Sequence, residues 1–160
     1  MAGGRRLNEA LMRSIASRWR TDQTQFFESI AVFPPGKEDR IVGHFVSNHY
    51  PSEIDAARIE FRLRMNGDVN LHYHEEWTGA SWACRWDRHP NPHNAYEHFH
   101  QPPVVRRTDT DDVAYHEPPF GVIDIAFDFI EDRVGDLWDG PLTYPSSDTF
   151  EWEYGPDIRD

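Results

Sequence analysis

A chain of 160 residues with one cysteine, Cys84, cannot form an internal disulfide. That usage suits a reducing cytoplasm. Lysine is almost missing too: of sixteen basic residues only Lys37 is a lysine, the rest being arginine. No apolar run reaches the roughly 18 residues that a membrane-spanning helix needs, so the expectation is a protein with no membrane partner. Residues 1–20 lack the apolar stretch of a secretory signal. There is no glycine-rich phosphate loop, no Cys-x-x-Cys pair and no Gly-x-Ser-x-Gly elbow. Nucleotide-binding folds and serine hydrolases therefore find no support.

The formal net charge is −12, and it is uneven. Residues 1–56 carry seven positive and seven negative groups, and residues 57–107 carry seven and six. Residues 108–160 carry two and fifteen, which supplies the whole deficit. Acid excess with one lysine is what a salt-adapted prokaryotic cytoplasm selects, and there it serves solubility. The alternative is an acidic tail that masks a basic surface.

Periodicity gives an α+β architecture: an antiparallel sheet of about five strands with N- and C-terminal helices packed on one face. Leu7, Leu11, Ile15 and Trp19 recur every four residues and predict a helix over 8–19, capped by Asn8. Strands are expected at 26–33 and 40–46, the first stopped by Pro34-Pro35-Gly36. Ile59, Phe61, Leu63 and Met65 alternate with charged residues, and Asn66-Gly67 follows as a hairpin signal. The return strand is 69–77, and after a turn at Thr78-Gly79 comes another at 81–87. Prolines 90, 92, 102 and 103 make residues 89–103 a loop with at most one short extended piece. Residues 108–112 read as an acidic linker, and residues 120–138 as a helix by length. A single domain over 1–139 and an acidic, aromatic tail over 140–160 complete the expectation.

Six of the nine histidines fall within residues 71–103, together with Trp77, Trp82 and Trp86. Histidine titrates near neutral pH and is the commonest metal ligand. In His72-x-His74-x-Glu76 all three side chains share one strand face, and two histidines with a carboxylate suit zinc or iron. The plainer reading is the exposed face of a half-buried strand. Arg85-Trp86-Asp87-Arg88-His89 offers an arginine, an acid and a histidine that could bind phosphate and move protons. Its plainer reading is an Arg85–Asp87 ion pair. His89, His93, His98 and His100 stand on a proline-held loop whose side chains either converge or are merely solvated. Cys84 lies between Trp82 and Trp86 on one strand face, which suits a core thiol.

The order of these pieces resembles the TumE family of small prokaryotic proteins, the toxin components of type II toxin–antitoxin pairs. The counterparts are Tyr73-His74, Arg85-Trp86-Asp87, Pro92-His93 and His98-Phe99-His100, within residues 57–135. Asn94 stands where the family favours a second histidine, Phe99 interrupts the second cluster with no lysine after it, and Arg88-His89 replaces Asn-Ala. The resemblance implies a toxin or a toxin-derived protein with a helix-turn-helix antitoxin as its partner.

Residue chemistry adds the expectation of a ribonuclease-like enzyme acting on RNA with no cofactor. His74, His93, His98 or His100 would serve as base and acid, Arg85 or Arg88 as the phosphate clamp, and Asp87 as their acidic neighbour. One alternative is a metal-binding hydrolase holding zinc or another divalent ion on His72, His74 and Glu76 with one loop histidine. Another is a non-catalytic interaction module acting through Trp138, Tyr144, Phe150, Trp152 and Tyr154.

Overall fold

The computed structural model describes residues 6–22, 25–89, 97–102, 110–112 (backbone), 115 and 117–139. His93, Asn94 and the tail expected over 140–160 lie outside the described residues.

The elements run α1 (Glu9–Asp22), β1 (Phe27–Val32), β2 (Ile41–Phe45), a 3-10 turn (Ser47–His49), β3 (Ile54–Leu63), β4 (Val69–Trp77), β5 (Ala80–Arg88), β6 (Glu97–His100), β7 (Thr110–Asp112) and α2 (Phe120–Trp138). The seven strands form one sheet in chain order, each antiparallel to its neighbours. The α+β class is as expected, with two edge strands added. Residues 110–112 are not a linker but pair with His98–His100, which covers the edge that β6 would otherwise expose. β3 begins at Ile54, earlier than its alternation suggests, because an irregularity between Ile54 and Ala56 breaks the pattern.

Both helices lie on one face. Asn8 caps α1 by accepting the Leu11 N–H on Oδ1 at 3.2 Å. The apolar stripe of α1 buries Met12, Ile15 and Trp19. The Trp19 ring meets Phe27, Phe61 and Phe127 at 5.7–5.8 Å between centroids. Phe129 of α2 drops into a nest of Tyr73, Trp82, Trp86 and Phe99. The Phe27 ring crosses β2 so closely that a Cβ on Gly43 would stand 2.6 Å from it. Cys84 belongs to this core, and burial pushes its thiol well above the usual range.

One ion pair joins α2 to the middle of the sheet. Arg133 donates to Glu75 through Nε at 2.9 Å and Nη2 at 2.8 Å, and neither side chain reaches solvent. Glu75 also accepts from Tyr73 Oη at 2.7 Å and Trp77 Nε1 at 3.1 Å. The guanidinium stacks on Trp82 at 3.7 Å. Every lone pair of this buried charge is thus engaged, which offsets its desolvation.

Two stability outcomes follow from this packing. Arg133→Met should cost about 3–5 kcal/mol in urea denaturation, because it leaves the Glu75 charge buried alone. The double variant Glu75→Gln, Arg133→Met should recover part of that loss. Gly43→Ala should cost about 1–3 kcal/mol, since the Phe27 ring must move.

Candidate functional site

Strand alternation divides the sheet. Phe61, Leu71, Trp86 and Phe99 form one cross-strand row under the helices. The residues between them face away, in two polar rows. The first is Glu60, His72, Arg85 and His100; the second is Arg62, Asn70, Asp87 and His98. Residues far apart in the chain thereby become direct neighbours.

Asp87 is the centre. Its side chain is fully buried, yet it carries the most contacts on this face. Oδ2 lies 2.7 Å from Arg85 Nε, 2.9 Å from His100 Nε2, and 3.4 Å from both His98 Nε2 and His89 Nε2. Oδ1 accepts from Asn70 Nδ2 at 2.7 Å. Burial alone would raise this carboxyl, but His100, His89, His98 and Arg85 outweigh it and hold it far below its ordinary range. His100 Nε2 also lies 3.0 Å from Arg85 Nη2. A guanidinium only donates and a carboxylate only accepts, so this nitrogen bonds Asp87 when it carries the proton and Arg85 when it does not.

A second network borders the first. Asn70 Oδ1 accepts two bonds from Arg62, at 3.1 and 2.8 Å, and Arg62 reaches Asp39 at 2.7 Å. Glu60 accepts from Lys37, Arg40 and Arg58 at 2.7–3.0 Å. Burial raises the Glu60 carboxyl, but these three cations bring it down to about 2. Between the networks is a small pocket of about 80 Å³, lined by Arg40, Arg62 and Arg85 together with Glu60, Phe61, Asn70 and His72. Burial and the neighbouring Arg85 lower His72 to about 4, so it is neutral at physiological pH. Its Nε2 finds no hydrogen-bond partner.

The structure brings together Arg85, Asp87, His98 and His100 of the expected site, and adds His89 and Asn70. His74 shares the face but stands further along β4, beside Arg58 and Glu76. His72, His74 and Glu76 do point the same way; Glu76 is half-exposed and its carboxylate goes to Arg58. Among the described residues, the group of potential metal ligands gathered within 4.8 Å is instead Asp87, His98 and His100. Arg88 turns to the hairpin end, where it donates to the Gly67 carbonyl at 3.0 Å and pairs with Glu97 at 3.4 Å. Phe99 is explained by alternation: between two histidines on a strand, it must enter the core, where it meets Trp86. A larger cleft of about 610 Å³, lined by Phe26, Tyr50, Phe127 and Trp138, contains none of the histidine cluster.

The family model for Toxin TumE matches residues 20–134. The chain belongs to the TumE toxin family. The match extends beyond the motif-bearing part because it takes in β1 and β2, whose residues carry no signature of their own. TumE membership brings with it the expectation of a cognate antitoxin. No curated protein and no solved structure matches the chain. No helix among the described residues of this TumE protein is long and apolar enough to cross a membrane.

The Glu60 network has a pH signature. The depressed folded-state value means that its stabilisation is full above about pH 4.5 and is lost as pH falls toward about 2. Glu60→Gln should therefore lower the thermal midpoint at neutral pH, with the gap to the unsubstituted protein closing over that window in a pH series.

Proposed function

We propose that this TumE protein is a toxin that cleaves RNA at the polar face of its sheet, restrained by a helix-turn-helix antitoxin. The observation that carries the reading is the arginine-lined pocket beside the Asp87–histidine cluster. Cleaving an RNA phosphodiester needs cations for the charge on phosphorus, a group that activates the 2′-hydroxyl and a donor for the leaving oxygen. Arg40, Arg62 and Arg85 supply the cations, and the planar guanidinium suits a phosphate in two-point contact. Asn70 orients Asp87 and Arg62 together, so it couples the clamp to the cluster. His100 stands between Asp87 and Arg85, in contact with one arginine of the clamp. Strand-borne side chains hold such an arrangement more firmly than loop-borne ones.

The roles differ from those expected of the sequence in two places. Arg88 lies at the hairpin end and does not line the pocket, so the clamp falls to Arg85 with Arg62 and Arg40. His74 stands outside the cluster, and His72 takes its place at the pocket.

Replacing His98 and His100 together by alanine should abolish growth inhibition on induced expression, and Arg62→Ala should weaken it at least tenfold in the inducer level required. Total RNA from induced cells should show new cleavage ends that both variants lack. Unchanged growth inhibition by the double variant, at equal protein level, would end the proposal.

A further inference from the structure

We infer that Asp87, His89, His98 and His100 form a four-ligand site for a divalent transition ion, with zinc the best fit. The inference stands on the geometry of the cluster and not on the RNA reading. A tetrahedral zinc shell with bonds of about 2.0–2.1 Å places its ligand atoms roughly 3.3 Å apart. The three Nε2 atoms lie 2.9, 3.4 and 3.4 Å from Oδ2 of Asp87. The rings are not parallel: His98 is turned 74° from His100 and 81° from His89. The ligand atoms of Asp87, His98 and His100 lie within 4.8 Å of one another, while His89 Nε2, 3.4 Å from Oδ2 but outside that group, has to swing inward to complete the shell. Each imidazole presents the same nitrogen, as ligands to one centre would.

The surroundings also fit. Metal-bound carboxylates and imidazoles are normally held by a further layer of hydrogen bonds. Asn70 holds the other oxygen of Asp87, and Tyr115 Oη donates to the His98 backbone carbonyl. Three neutral nitrogens and one carboxylate make a borderline donor set that favours zinc over magnesium or calcium, which take oxygen. Among the described residues, Arg85 opposes an ion, since it bonds the same oxygen at 2.7 Å and its Nη2 lies 3.0 Å from His100 Nε2. It is also the exposed member of the cluster, at 32%, beside the phosphate pocket. An ion would replace it as the charge partner of Asp87 and leave it to the pocket. His89 is at the end of β5 and the two strand histidines are buried, so the open side of the site lies towards His89. The metal centre thus moves from the β4 trio of His72, His74 and Glu76 to the β5–β6 edge.

The test uses full-length protein with no histidine tag. It is stripped with a chelator and titrated with zinc against a chromophoric competitor, with cobalt as a spectroscopic stand-in. The expected result is one equivalent of zinc, and a cobalt spectrum of the intense visible type given by four-coordinate sites. His89→Gln, at the partly exposed strand end, should keep the fold by circular dichroism and weaken zinc at least tenfold. Asp87→Asn should abolish the equivalent. His44→Ala, on the same sheet face in β2, should leave it unchanged. Failure of the unsubstituted protein to take up stoichiometric zinc, cobalt, nickel or manganese would overturn the inference. So would full affinity in folded His89→Gln together with Asp87→Asn. Neither outcome depends on toxicity, so the RNA reading stands or falls separately.

Discussion

The buried pair of Glu75 and Arg133 is the contact on which the arrangement depends. It ties a helix near the end of the described chain to the central strand of the sheet, across 58 positions of sequence. Hydrophobic surfaces can slide over one another at little cost, whereas a desolvated charge pair cannot shift by a turn without losing its partner. The pair therefore fixes the register of α2 along the sheet. Tyr73, Trp77 and Trp82 close around it, and Phe129, one turn away, enters its aromatic nest as a consequence. The helix-covered face is given to packing by this arrangement, apart from the cleft beside Tyr50, Phe127 and Trp138.

The other face carries the two polar rows. Glu75 and Asp87 illustrate two uses of a buried carboxylate. Glu75 is saturated by one guanidinium, a phenol and an indole. Asp87 is surrounded by three imidazoles and a part-exposed arginine, four separate partners rather than one locked pair. The first makes a rigid joint and the second an adaptable centre. They are carried on adjacent strands and point in opposite directions, which is how a sheet keeps its mechanical and chemical parts from interfering.

Much of the fold was legible because its signals are local. The stripe of Leu11, Ile15 and Trp19 marks α1, and Asn66-Gly67 and Thr78-Gly79 mark the two hairpins around β4. A two-residue turn fixes register, so Trp77 opposite Ala80 already implies Asn70 opposite Asp87 and His72 opposite Arg85. The two polar rows could have been counted out from the turns. β6 and β7 were harder: both are short and are separated by prolines and polar residues, so neither has a period of its own. Their pairing comes from the edge of β5, a tertiary fact. The Glu75–Arg133 pair had only half a signal: alternation puts Glu75 on the apolar face with Leu71, Tyr73 and Trp77, but nothing in the sequence names Arg133 as its partner. Phe99, which reads as a break in the family pattern, is instead what strand alternation demands between His98 and His100.

The sheet follows the chain without a single crossover, and this has a consequence for the order in which its parts become available. Every strand pairs with the one made just before it, so each step of sheet growth closes only a short loop. The Asp87 cluster draws its side chains from β4 to β6 and the residue after β5, whereas the Glu75–Arg133 pair on the opposite face needs α2. During synthesis the polar rows can line up before the last helix has emerged to lock the sheet beneath them. Assembly of the chemical centre is thus a local event, and its permanence is a late one.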